Sequence, residues 1–145
     1  MEERYICYCG LYCGNCSVKA RIGPAAKALY DEMIAAGFED IIQQIPGGDG
    51  FWPFLRHMAE VGICISCREG GGDPECAIRK CAVGRGVDMC AFCESYPCGH
   101  FDRFSEMCPV ALRDNELLRE KGVDAWSRLQ DERCAKGFVY QDGRE

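Results

Sequence analysis

The chain has 145 residues, 13 of them cysteine, with 48% hydrophobic and 28% charged residues and a formal net charge of −6. That balance suits one globular domain over 1–145 and excludes a disordered chain, while no run nears the roughly 18 apolar residues of a membrane span. The acidic excess argues against nucleic acid as a partner, and two zincs on eight thiolates would deepen the charge to about −10.

The start, MEERYICYCG, lacks a basic opening, an apolar run and a small-residue cleavage site, and so reads as cytoplasmic. Thiols stay reduced there, and an odd number of cysteines excludes complete internal disulfide pairing. Cys7, Cys9, Cys13 and Cys16 come first, and no cysteine follows until Cys64. The interval is helical in pattern. Gly23-Pro24 opens a helix through Ala36, because a proline in the first turn sacrifices no hydrogen bond, and Gly37 ends it. Residues Glu39 to Ile45 suggest a further short helix, and Pro46 to Gly50 a turn. Asp49 is the expected cap of the next helix, whose stripe is Phe51, Phe54, Leu55 and Met58.

From Cys64 to Cys98 the chain has little hydrophobic period and carries the loop sequence GGGDP. Such a segment needs something other than a core of its own to hold it. Helix returns at Asp114, read as the cap of NELLREK. Gly122 interrupts, and Val123, Trp126 and Leu129 resume the apolar face. The tail GFVYQ reads as a short strand that pairs with YICY at Tyr5 to Tyr8.

Seven cysteines, Cys64, Cys67, Cys76, Cys81, Cys90, Cys93 and Cys98, fall within 35 residues. Cys64/Cys67 and Cys90/Cys93 are C-x2-C pairs, a spacing that turns two sulfurs toward one ion with Zn–S near 2.3 Å. Two groupings are open. In the sequential one, Cys64, Cys67, Cys76 and a fourth ligand hold one ion while Cys81, Cys90, Cys93 and Cys98 hold another. In the ribbon-like one, Cys64, Cys67, Cys90 and Cys93 share an ion. Short loop closure favours the first.

Cys9, Cys13 and Cys16 form a C-x3-C-x2-C run. They lend ligands to the central sites, hold their own ion or cluster with Cys7 or Cys108, or include a reactive thiol. Cys7, Cys108 and Cys134 otherwise read as structural thiols. His57 reads as a helix-surface residue and His100 as surface or a fourth ligand. Phe51, Trp52 and Trp126 read as core. Arg79, Lys80 and Arg85 offset thiolate charge near Cys81. A phosphate loop, a nucleophilic serine motif and His-Glu-x-x-His are all missing, which favours a binding protein over an enzyme.

The strings CGLYCGNC at 9–16, CISC at 64–67 and CAIRKCAVGRGVDMCAFCESYPC at 76–98 resemble the cysteine-rich prokaryotic domain-of-unknown-function family DUF3795, over roughly residues 5 to 104. GVDAW near Trp126 is similar to the C-terminal helix of longer relatives. Some of these continue into another C-x2-C knuckle, which Ala-Lys-Gly after Cys134 replaces here. The resemblance implies a prokaryotic, cytosolic metal-binding domain and no established reaction.

The expectation is therefore a small, mainly α single domain whose irregular cysteine-rich segment is organised by metal-thiolate sites. Its ligands would be drawn from Cys9, Cys13, Cys16, Cys64, Cys67, Cys76, Cys81, Cys90, Cys93 and Cys98. Closed all-cysteine sites point to zinc first and an iron–sulfur cluster second. The expected role is a binding or interaction module with a protein or small-molecule partner. The alternative is an iron–sulfur or thiol-based redox protein.

Overall fold

The computed structural model describes residues 3–142. It is mainly helical, and no strand forms among the described residues. The chain makes two compact units. One is residues 17–64; the other is built from the chain on either side, up to residue 16 and from residue 65.

In the 17–64 unit a π-turn, Val18–Ile22, runs into α1 (Gly23–Ala35), with proline in its first turn. Gly37, at φ 72°, carries the chain out, as its position after the last helical residues implied. The stretch expected as one short helix is instead two 3-10 turns, Phe38–Asp40 and Ile42–Gln44. Seven residues with three β-branched isoleucines are too few and too stiff to sustain an α-helix alone. In α2 (Gly48–Glu60) the N-cap is Gly47 at φ 81°, not Asp49, which lies in the first turn where a negative charge suits the helix dipole. Of the expected stripe only Leu55 is fully buried, while Phe51 and Phe54 stay exposed. Trp52 stacks on Tyr30 with ring centroids 5.1 Å apart. A unit this small cannot enclose every large side chain it carries.

The other unit opens with a tight hairpin in which Ile6 bridges Tyr12. The Cys7 N–H donates to Leu11 O at 2.8 Å, and the Gly10 N–H donates to Cys7 O at 3.0 Å. A 3-10 turn, Cys13–Asn15, follows. Beyond residue 65 come the turn Cys67–Glu69, α3 (Ala77–Arg85), the turn Cys90–Phe92, a cis Tyr96–Pro97 bond and α4 (Gly99–Met107). The segment expected to be irregular thus contains a full helix, since IRKCAVGR supplies enough helix-compatible residues despite its weak apolar period. Next, α5 (Pro109–Ala135) begins at Pro109, with Cys108 as its N-cap, five residues before the expected start at Asp114. Proline is suited to a first turn, and Asp114 is released for an interior role. Gly122, at φ 77° and ψ 178°, breaks α5 into two stretches as foreseen.

Apolar packing in this unit has two centres. Ile6, Tyr12, Met89, Ala91, Leu118 and Trp126 form one. Ile78, Phe101 and Ala111 form the other, against which Cys9, Cys76, Cys90, Cys98 and Cys108 lie.

Between the hairpin and α5 runs a buried polar chain. The Arg133 guanidinium donates to both Asp114 carboxylate oxygens at 2.7 and 2.9 Å. Gln130 Nε2 donates to Asp114 at 2.9 Å, and Gln130 Oε1 accepts from Asn15 Nδ2 at 2.7 Å. Asp114, Gln130 and Asn15 have no solvent exposure. Tyr140 completes the chain, donating to Gln130 Oε1 at 3.2 Å and accepting the Tyr12 N–H at 2.9 Å. The tail therefore does meet the N-terminal segment, through a phenol rather than the strand expected at GFVYQ. Gly137 (φ 69°) turns the chain just before it, and the hairpin has paired its own edge. Asn115 adds a further tie, Nδ2 donating to Cys9 O at 2.8 Å across Gly10. Gly10 sits at φ +81° with the Asn115 amide directly where a Cβ would be, so only glycine fits.

Three outcomes follow. Asp114→Ala removes the buried carboxylate that Arg133 and Gln130 both hold and should lower stability by about 3–5 kcal/mol in denaturant melts. Gly10→Ala adds a collision to a left-handed strain of about 1–2 kcal/mol, so it should destabilise clearly more than Gly137→Ala, where a Cβ meets nothing within 4 Å. Burial pushes the Tyr140 phenol well above its ordinary 10. Its contribution is complete below about pH 10 and is lost as the pH rises further, because the unfolded chain ionises first. Tyr140→Phe should cost about 1–3 kcal/mol at neutral pH. The gap from wild type should narrow in urea melts above about pH 10.

Candidate metal centre

Four cysteines, Cys81, Cys90, Cys93 and Cys98, line a single small cavity of about 20 Å³ beside Phe101. Each comes from a different local device. Cys81 projects from α3. Cys90 and Cys93 flank one 3-10 turn, closed by the Cys93 N–H on Cys90 O at 3.0 Å. Cys98 is the N-cap of α4, and its carbonyl accepts the Phe101 and Asp102 N–H groups at 2.8 and 2.9 Å. A space of this size holds about one water-sized body. Burial pushes the Cys90 thiol up to about 12, reinforced by the charges of Cys9, Cys98, Cys81 and Cys93. Tyr96 lines the same wall, and its hydroxyl is buried without a partner. The donor set, four soft thiolates and no oxygen ligand, fits zinc or iron. Among the described residues no group of three or more His, Cys, Asp or Glu is arranged to hold a metal ion.

A second gathering of thiols centres on Cys7. Its sulfur lies 3.4 Å from that of Cys13, too far for a disulfide at about 2.05 Å. Interactions with Cys13, then Cys67 and Cys9, together with burial, hold the Cys7 thiol protonated far above the usual range. Cys67 moves the other way, down to about 6. The Cys7 hydrogen bond is the main cause, and a Tyr8 backbone hydrogen bond and the charges of Arg68 and Arg79 add to it against burial. Arg79 donates to Gly71 O at 2.6 Å, Asp73 O at 2.6 Å and Cys67 O at 3.4 Å. Arg68 donates to Ile6 O and to Asp88, and its guanidinium lies 4.6 Å over the Tyr8 ring.

The thiols expected as ligands thus divide unevenly. Cys81, Cys90, Cys93 and Cys98 share a cavity; Cys9, Cys13 and Cys67 share the surroundings of Cys7. Cys64 is exposed and closes the 17–64 unit. Cys76 packs against the Ile78, Phe101 and Ala111 cluster. Cys16 accepts from Gln141 Nε2 at 3.6 Å. Cys134 donates to Asn15 Oδ1 at 3.2 Å, and burial raises its thiol, as it does that of Cys108. His57 and His100 are both exposed. Arg79 and Arg68 act on Cys67; Lys80 pairs with Glu75 at 2.6 Å, and Arg85 borders the cavity. Sequence reasoning offered Cys7 both as a structural thiol and as a fourth ligand to the N-terminal run, without seeing its approach to Cys13. The signal that could have found it is Gly10, which marks a turn that folds residue 7 back toward residue 13.

Comparison with known proteins adds one finding. Neither a curated protein nor a solved structure matches the chain. The family described as "Protein of unknown function (DUF3795)" matches residues 5–103, a span that contains both thiol gatherings. The chain belongs to the DUF3795 family.

Proposed function

We propose that this chain is a metal-thiolate binding module whose built site is Cys81, Cys90, Cys93 and Cys98. The observation that carries the reading is that these four cysteines line one cavity of about 20 Å³. A closed set of four cysteines suits a structural zinc, since no position is left for a substrate, and iron is the second choice. Binding one ion releases up to four thiol protons, so affinity falls as the pH falls. Backbone N–H groups at the Cys90 turn and at the start of α4 fix the loops that carry the ligands. The same set ties α3, the Cys90 turn and the α4 N-terminus into one body, so the metal acts through folding and presents a fixed surface to a protein or small-molecule partner. A reducing, cytoplasmic compartment suits such thiols.

Elemental analysis of the full chain, purified anaerobically, tests this. Zinc should be present. The Cys93→Ala variant should lose one equivalent and most of its cooperative melting transition, because structural zinc contributes about 10–16 kcal/mol in small zinc peptides. Cys134→Ala, which loses one hydrogen bond, should cost about 1–3 kcal/mol. A metal-free, fully folded wild type whose four cavity thiols titrate freely would refute the reading.

A further inference from the structure

We infer that Cys7 and Cys13 are a redox-modification site, a dithiol that a small-molecule disulfide converts reversibly to a Cys7–Cys13 disulfide across the N-terminal hairpin. The inference stands on residues separate from the cavity lined by Cys81, Cys90, Cys93 and Cys98, and either can fail alone.

The hairpin sets the geometry. Ile6 bridges Tyr12, and both side chains are buried in one apolar cluster. Side chains alternate along extended chain, and Tyr12 is extended. The next residue on each arm, Cys7 and Cys13, is therefore directed away from that cluster, and the two sulfurs meet at 3.4 Å. A disulfide needs about 2.05 Å, so a further approach of about 1.4 Å joins them. The Cys7 N–H on Leu11 O at 2.8 Å and the Gly10 N–H on Cys7 O at 3.0 Å hold the arms together. The fold has thus already closed the loop from residue 7 to residue 13, and its closure entropy no longer opposes the bond.

The surroundings leave the pair within reach of a small reagent. Cys7 and Cys13 are both half-buried, and neither is among the cysteines that lie against the Ile78, Phe101 and Ala111 cluster. Other sulfurs of this unit settle on amides instead. Cys16 accepts from Gln141 Nε2 at 3.6 Å, and Cys134 donates to Asn15 Oδ1 at 3.2 Å. The frame on either side of the pair is fixed. The Cys9 carbonyl is held by Asn115 at 2.8 Å, the Tyr12 N–H by Tyr140 at 2.9 Å, and Asn15 by Gln130 at 2.7 Å. Closing the bond therefore asks for side-chain rotation at residues 7 and 13 and leaves these ties in place.

The chemistry is thiol–disulfide exchange. One thiol of the pair gives up its proton, and the thiolate attacks a sulfur of the small disulfide R–S–S–R. The S–S bond of the reagent breaks, one R–S⁻ leaves, and a mixed disulfide remains on the protein. The second thiol of the pair, already in contact, attacks the protein sulfur of that mixed disulfide and expels the second R–S⁻. The two protons lost by Cys7 and Cys13 end on the two departing thiolates. The protein is oxidised by two electrons, and one R–S–S–R is reduced to two R–SH. A reducing thiol runs the same steps backward, the behaviour of a sensing disulfide rather than a structural one.

The experiment uses the full chain, purified anaerobically and equilibrated in a series of oxidised and reduced glutathione mixtures. Each sample is quenched in acid, its free thiols are alkylated with iodoacetamide, and disulfides are mapped by mass spectrometry. A Cys7–Cys13 bridge should appear in one transition and disappear on return to reduced glutathione. At the mixture where half of the chains carry it, Cys64 should be oxidised at least tenfold less. In Cys7→Ser the bridge should be lost and Cys13 should carry glutathione as a mixed disulfide, while Cys134→Ser should keep the wild-type transition. Three results would each overturn the proposal. One is a Cys7 and Cys13 pair still fully alkylated where Cys64 has taken up glutathione. Another is a bridge from Cys7 to Cys9 or Cys67 in place of Cys13. The third is resistance of both thiols that a chelator abolishes, which would make them metal ligands. The wild-type map needs no variant, so a misfolded Cys7→Ser does not decide the matter. Oxidation or protection of Cys81, Cys90, Cys93 and Cys98 bears on the cavity site alone.

Discussion

The carboxylate of Asp114 is the point on which the larger unit hangs. It is fully buried, held by Arg133 on one side and Gln130 on the other. A charge so placed is tolerable only while every partner remains, which makes the arrangement more a constraint on conformation than a reserve of stability. Gln130 passes that constraint to Asn15 and Tyr140, and through them to the segment carrying Cys13 and Cys16. The N-terminal cysteines are thus positioned by a helix more than 90 residues away in sequence, not by local preference.

Thiol placement follows from what each short element can do. A 3-10 turn brings Cys90 and Cys93 together, and a helix N-cap presents Cys98 to the same cavity as Cys81. Burial without an ion would leave several sulfurs protonated among one another, as the raised Cys90 shows. Arginines stand near the Cys67 sulfur, while Arg85 borders the cavity and donates to Ser95 at 3.2 Å.

Much of this was legible in the sequence, and the parts that were not have a common cause. The α1 boundaries, with Pro24 and Gly37, and the break at Gly122 are set by residues whose backbone demands are local. So is the Cys90/Cys93 turn. Asp114 was read as a cap because aspartate before a helical run usually is one. Its true partner, Arg133, lies 19 residues on, across the helix break, and no local pattern announces it. The interaction of Cys67 with Cys7, 60 positions earlier, likewise has no local pattern that announces it. The apolar stripe at Phe51 and Phe54 was read correctly as periodic, but periodicity does not tell how much of a small unit's surface can be hidden.

The Tyr12 N–H and its phenol partner on Tyr140 are separated by 128 residues. At about 5–20 residues per second, a ribosome needs roughly 6 to 26 seconds to make the chain between them. Throughout that interval the first cysteines have emerged while the hydroxyl that helps seat their turn does not yet exist. Newly made thiols are then open to whatever oxidants surround the growing chain. The long reach of one hydrogen bond thereby leaves the thiols of the first turn without that support until synthesis is almost complete.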